Sequence, residues 1–445
     1  MNQVSSLTSS MIKPSLSSPK TAKYLLQPDL LKENTLTSSS LSEVLQSITS
    51  SPDAEDSFFV ADISIVYEQY QTWIRELPRI QPFFAVKSNP DPVIIKILAS
   101  LGTGFDCASK TEIKQILDMG ISPDRIIYAH PCKPSSHLKY ATKSNVNLMT
   151  FDNTDELYKI KSLAPDAEVV LRISTDDSNA LCRFSIKFGA DLANTEELLN
   201  VAKSLGINVV GVSFHIGSGS LDVNAFSDAL RRARFVFDQA KQLGFEFSLL
   251  DIGGGFPSSK QRGGIDFKSF ARNLDAEMNR LFPVSEGIRI ISEPGRYFSS
   301  SPFSLAVNVT SKRTVDPNTT PYNSEAENSS SPSDEVSFMY YVNDGVYGSF
   351  NCIMFDHRIA HPEILTREGA FELGKNHSNV KHYKTSIWGP TCDSIDCIVQ
   401  ETSFPELYVG DWILFQDMGA YSGSAASKFN GFDTSPVYYY DSRKQ

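Results

Sequence analysis

None of the six cysteines (Cys107, Cys132, Cys182, Cys352, Cys392 and Cys397) forms a Cys-x-x-Cys pair, and they are scattered through 445 residues. That pattern argues for reduced thiols rather than a disulfide framework, so a cytoplasmic location is expected. Long apolar runs are missing too: none reaches the ~18 residues that a membrane helix needs, and the first residues lack a signal-peptide core. Positive charge is scarce, with 41 lysines and arginines against 52 acidic residues and a net charge of −11. Without a dense basic run, nucleic acid and anionic membranes are poor partners, whereas a small cationic ligand suits the field. Arginine is absent before Arg75, which argues against a transit peptide.

What is present is serine at both polar tracts. Residues 1–50 contain "SSLTSS", "SLSSP" and "TSSSLS" and read as a disordered tail. A second tract, "DPNTTPYNSEAENSSSPSDE", reads as a flexible surface loop over 314–336. The length between and beyond them asks for two domains.

Eight short apolar runs, each followed by a polar or glycine-rich stretch, lie at 81–86, 102–109, 125–129, 148–152, 168–174, 209–216, 249–255 and 289–296. Helical stretches such as "DPVIIKILASL" and "AFSDALRRARFVFDQAKQLG" separate most of them. Eight βα units in a row predict an α/β fold, a (β/α)8 TIM-like barrel over 51–297. After 297 the pattern turns to strands without long helices, predicting a second, β-rich domain of β-barrel or Greek-key type over 298–445. "FFVADIS" (58–64) is a candidate to pair with that domain.

In such barrels chemistry gathers at the C-terminal strand ends. Lys87, Asp106, Arg172, His215, Gly253, Gly254, Gly255, Glu293 and Arg296 fall there. Lys87 ends the apolar run "PFFAVK", where an ammonium is costly unless paired, neutral or used covalently; the plain alternative is a strand surfacing into a loop. "GSGS" (217–220) and "GGG" (253–255) let backbone N–H groups approach a phosphate, and Ser218 and Arg296 complete a plausible cup. The second domain carries Tyr347, Asp356, His357, Cys392, Asp393 and Tyr421. "HRIAH" (357–361) has no third ligand nearby, so no metal site is expected.

Nine stretches in order, "PFFAVKSNP", "LGTGFDCASKTEI", "LRISTDDS", "GVSFHIGSGS", "DIGGGFP", "SEPGRYF", "VNDGVYGSFNCIMFDH", "WGPTCDSID" and "MGAYSGSAASKFNGF", resemble the eukaryotic ornithine decarboxylases over residues 58 to 435. These are pyridoxal 5'-phosphate (PLP) enzymes of the alanine-racemase-like fold that make putrescine for polyamine biosynthesis. The resemblance implies that Lys87 carries PLP covalently, through a neutral amine supplied by desolvation. It implies that His215 stacks on the ring and Glu293 pairs with the ring nitrogen. Ser218, Gly253 to Gly255, Arg296 and Tyr421 would hold the phosphate, with Asp106, Glu112 and Arg172 in support.

By the same resemblance Cys392, from the neighbouring subunit of a homodimer, protonates the substrate carbon. Tyr347, Asp356 and Asp393 would bind L-ornithine, and Lys187 and Asp396 would pair across the interface. Three positions depart from the family pattern: Ser88 stands for a cysteine, His130 for an asparagine and Phe355 for a tyrosine. Two alternatives stay open, a lysine or dual ornithine/lysine decarboxylase and a catalytically inactive relative that binds antizyme.

Overall fold

Alternation inside short β-branched and aromatic runs builds the first layer of the computed structural model, which describes residues 36, 40–178, 180, 182–218, 223–258, 266–315 and 336–443. A strand β1 (Phe58–Asp62) precedes eight parallel strands that close into a barrel: β2 (Ile80–Ala85), β3 (Gly104–Cys107), β4 (Ile126–Tyr128), β5 (Leu148–Phe151), β6 (Glu168–Arg172), β7 (Asn208–Ser213), β8 (Leu249–Asp251) and β9 (Arg289–Ser292). The closure is the pairing of β2 with β9, Ile80 opposite Ile290.

Successive strand residues point to opposite faces. Phe84, Ile126, Val169 and Leu250 pack in the large core that includes the surrounding helices, while Phe83, Ile127, Val170, Leu249 and Ile291 form a separate buried cluster. That second set fills the barrel interior, so the inside is packed and room for a ligand is left only at its mouth. The helices between strands are capped by their own sequence. For Pro92–Leu101, Asp91 accepts the N–H groups of Val93 and Ile94, Pro92 opens the first turn, and Gly102 ends the helix at φ 94°.

The second domain, over its described residues, is built on an eight-stranded sheet, with a separate two-stranded sheet of Thr366–Arg367 and Ala370–Phe371. Its long strand β10 (Phe303–Val315) pairs with β1, with β11 (Ser337–Val342) and with Trp412–Phe415. His382–Trp388 and Cys397–Pro405 extend it on the far side of β11. Strand Cys397–Pro405 is an addition to the sequence reading; "CIVQETSFP" carries too many polar side chains to stand out as an apolar run. β1 also runs parallel to Val437–Tyr440, Phe59 opposite Val437.

The tail expectation needs correction over its last turns. Leu41–Thr49 is a helix whose N-cap Ser40 accepts the Glu43 N–H, and Val44 and Leu45 are fully buried beside Phe58, Val60 and Trp412. Apolar residues at 41, 44, 45 and 48 follow the helical period, which the serine-rich composition obscured. The rest of the tail (1–35 and 37–39), loop residues 316–335, and Gly219 and Ser220 of the "GSGS" stretch lie outside the described residues.

Candidate active site

The chain leaves β2 through a single 3-10 turn, Val86–Ser88, which swings Lys87 over the barrel mouth. Its Nζ meets Asp106 Oδ2 at 2.5 Å, and the Asp106 side chain is wholly buried on β3. Burial alone would lower the Lys87 pKa, but the Asp106 and Glu293 carboxylates outweigh it and hold the group well above its usual value. This corrects the sequence expectation of a neutral amine made by desolvation: a buried carboxylate beside the amine keeps it an ammonium. Asp106 Oδ1 has no hydrogen-bond partner among the described residues.

His215 follows β7, and its Nδ1 accepts the Gly217 N–H at 3.0 Å, which leaves the proton of a neutral ring on Nε2. Burial, then the nearby Arg172 and Lys87 cations, lower its pKa strongly. Arg172, at the end of β6, lies 5.2 Å over the Phe188 ring. Gly254 lies against the imidazole so closely that an added Cβ would fall 2.7 Å from His215 Nε2. Gly253 and Gly255 have φ of 62° and 100°, conformations that side chains rarely adopt. Glu293 follows β9, and its N–H donates to the Gly253 carbonyl at 2.7 Å. Burial and the carboxylates of Asp251 and Asp106 raise the Glu293 pKa well above the usual range.

Arg296 closes the pocket: its Nη2 reaches Ser218 Oγ at 3.0 Å and both Asp356 oxygens at 2.6 Å. Its guanidinium sits 5.3 Å over the Tyr421 ring, and Tyr421 donates its N–H to Ser88 at 2.8 Å. Lys87, His215, Ser218, Gly254, Gly255, Glu293, Arg296 and Tyr421 thus line one cleft. Beyond Arg296 and Asp356 opens a cavity of about 260 Å³ that His357, Arg358 and His361 also line. Glu112 stands behind the pocket and accepts the Ala108 N–H at 2.6 Å.

Tyr347, Cys392 and Asp393 form a second cluster that does not line this cleft. Tyr347 O–H donates to Asp393 Oδ2 at 2.5 Å, and this bond lowers the Asp393 pKa. Cys392 is exposed. Asp396, 1% exposed, accepts the Val346 N–H on Oδ1 and both the N–H and the hydroxyl of Thr391 on Oδ2, so its carboxylate is engaged within its own chain, while Lys187 lies exposed over Phe188.

Among the departures, Ser88 is fully buried and donates to the Ala85 carbonyl, and Phe355 is 72% exposed. His130 accepts the Cys132 N–H and touches Phe188 edge-on at 5.6 Å. Asp251 was not singled out from sequence. It ends β8 fully buried, shares interior parity with Leu249, and accepts the Gly253 N–H at 2.9 Å. Burial pushes its pKa up to about 6. Its signal was a carboxylate inside "LLDIGGG", a run otherwise fit only for a core.

The residues fit a pyridoxal phosphate. His215 lines the cleft beside Lys87 and offers a flat partner to a ring, the arginine beside Ser218 suits a phosphate dianion, and Asp106 Oδ1 is a buried acceptor with no hydrogen-bond partner among the described residues. A barrel of this kind with a β-rich second domain and a lysine at its mouth is the architecture of a PLP-dependent enzyme, and the pyridoxal binding domain of the PLP-dependent decarboxylases matches residues 63–300. Ornithine decarboxylase of Schizosaccharomyces pombe is 52% identical over 391 residues, spanning 88% of this chain and 84% of that protein. Antizyme inhibitor 2 of Xenopus laevis is 47% identical over 94% of this chain and 88% of its own. Among solved structures, the arginine decarboxylase of Paramecium bursaria Chlorella virus superposes with a TM-score of 0.81 at 32% identity, covering 90% of this chain and all of that one. The chain therefore belongs to the ornithine decarboxylase family of PLP-dependent decarboxylases.

Proposed function

We propose that this chain decarboxylates L-ornithine to putrescine and carbon dioxide, the entry step of polyamine synthesis, as a cytoplasmic homodimer with sites shared between subunits. The observation that carries the reading is the convergence of Lys87, His215, Glu293 and Arg296 on one cleft. Lys87 would hold PLP, Arg296, Ser218, Tyr421 and the Gly253 to Gly255 backbone its phosphate, His215 one ring face and Glu293 the ring nitrogen, with Arg172 in support. When bound, PLP supplies the sink for the electron pair left on Cα as carbon dioxide departs.

The chain's own residues do the rest. Moving a proton from Lys87 Nζ to Asp106 Oδ2 frees the lone pair that a covalent link needs. The buried Asp251–Glu293 carboxyl pair favours a cation close by, which suits a protonated ring nitrogen. Asp356 and Asp393 offer carboxylates to the distal ammonium, with Tyr347 orienting Asp393, and Cys392 Sγ delivers a proton to Cα.

Support for a shared site comes from the gap between the clusters: Cys392 and Asp393 lie apart from the Lys87 cleft. Ile186, Phe355, Ile359, Ile395 and Phe429 are exposed apolar side chains close in sequence to residues of the two clusters. In such a dimer Lys187 and Asp396 are candidates to meet across the interface. Among the described residues no helix is long and apolar enough to cross a membrane.

A product assay with ornithine, lysine and arginine side by side tests the function. Putrescine as the dominant product is expected; cadaverine or agmatine in its place would overturn the substrate assignment. The likeness to antizyme inhibitor 2 keeps an antizyme-binding role in view. A folded chain that releases no carbon dioxide from any of the three substrates but binds antizyme would establish that role instead.

A further inference from the structure

The turn that follows Tyr421 reaches the exposed cysteine. Ser427 donates both its N–H and its hydroxyl to the Tyr347 carbonyl, at 2.8 and 3.0 Å. The Phe429 ring stacks on Tyr347 with centroids 4.2 Å apart and planes 26° from parallel. Asn430 then accepts the main-chain N–H of Cys392 on its Oδ1 at 3.1 Å. Asn430 stands at φ 54°, in the left-handed region that asparagine and glycine tolerate best, and Gly431 continues it at 83°.

These contacts grip three consecutive residues from different sides. Asp396 holds Thr391, Asn430 holds Cys392, and Tyr347 holds Asp393. The grip on Cys392 comes from a residue whose backbone stands at φ 54°, where few residue types other than asparagine and glycine sit comfortably, and it satisfies an N–H at the residue carrying the thiol. A free N–H there would let the peptide between Thr391 and Cys392 rotate and turn Sγ with it.

We propose that Asn430 is a positioning residue for Cys392: its amide oxygen fixes the direction of the thiol and so where its proton is delivered. The inference rests on the reading of Cys392 as proton donor, and its test separates the two. Loss of carbon dioxide leaves an electron pair that must take up one proton at Cα to yield the diamine, so misdirected protons show as carbon dioxide released without an equal amount of diamine.

The experiment uses the PLP-loaded enzyme with Asn430→Gly, which keeps the left-handed turn and removes only the acceptor, and Asn430→Asp, which keeps the acceptor. Two quantities are read: the ratio of putrescine to carbon dioxide, and the rate at which iodoacetamide alkylates Cys392, followed by peptide mass. Asn430→Gly is expected to drop the ratio well below equality and to change the alkylation rate by about threefold or more, while Asn430→Asp keeps the ratio near equality. An unchanged ratio and an unchanged alkylation rate in Asn430→Gly would overturn the inference, as would an equal fall in the ratio for both variants. Cys392→Ala is run alongside: should it turn over at the normal ratio and rate, the proton-donor reading fails, whereas a defect in Cys392→Ala with none in Asn430→Gly sinks the positioning role alone.

Discussion

Replacing Arg296 by alanine strips Asp356 of its cation while leaving the carboxylate in place. The two side chains are 13% and 8% exposed, and one guanidinium nitrogen meets both carboxylate oxygens at 2.6 Å. Among the described residues Asp356 then keeps the Cys182 thiol at 3.8 Å, a weak donor. Breaking a buried pair from one side costs about 3–5 kcal/mol, much of it the desolvation of the charge left behind, and the partial exposure here puts the expectation at the lower end. Removing the stranded carboxylate as well should relieve that cost, so the double variant separates the pairing from unrelated damage. Thermal unfolding of the cofactor-free chain at pH 7 reads this directly. Arg296→Ala should melt well below the parent, and Arg296→Ala with Asp356→Asn should recover much of the loss. Costs that simply add in the double variant would refute the pairing.

Three further outcomes follow from the geometry. Mixing inactive Lys87→Ala with inactive Cys392→Ala chains should restore part of the activity, since a mixed dimer holds one intact site; none after verified subunit exchange would count against shared sites. Asp393→Asn should cost ornithine about 1.5–3 kcal/mol of binding and also slow turnover through its neighbour Cys392, whereas Asp356→Asn should act mainly on affinity. Norvaline, which lacks the distal ammonium, is the control, and equal losses in kcat/KM for both substrates would make the carboxylates structural. Asp251 has a folded pKa raised to about 6, so the stability it contributes is complete below the ordinary carboxylate value and lost as pH rises through 6. Asp251→Asn should therefore gain in melting temperature over the parent as pH goes from 4 to 7, and a gap flat across that range would place the group's proton elsewhere.

Much of the fold was legible because barrel strands are buried on both faces and read as continuous apolar runs, with glycines and charges marking where each one ends. Lys87, His215, Glu293 and Arg296 were visible for the same reason, as polar residues at the ends of such runs. Asp251 was hidden inside one, since its burial depends on neighbours on other strands. Phe429 and Asn430 lie in a turn with no periodicity, and their contacts with Tyr347 and Cys392 span gaps of 82 and 38 residues in the numbering. The charge state of Lys87 could not be read from "FFAVK", because Asp106, 19 residues on, decides it. Helix Leu41–Thr49 was obscured by composition, although its apolar spacing was on view.

The placement of β1 has a consequence for the order of synthesis. Its two sheet neighbours are β10 and Val437–Tyr440, so the whole barrel, residues 80–292, emerges from the ribosome between one strand of the second domain and the rest. The barrel can close on its own eight strands while Phe58–Asp62 waits with unpaired edges. The domain that bears Cys392 is completed only when the final strand arrives. A chain cut short by a dozen residues would thus present a finished barrel beside an open, apolar strand edge, which is the kind of surface that recruits another chain's edge and draws quality control.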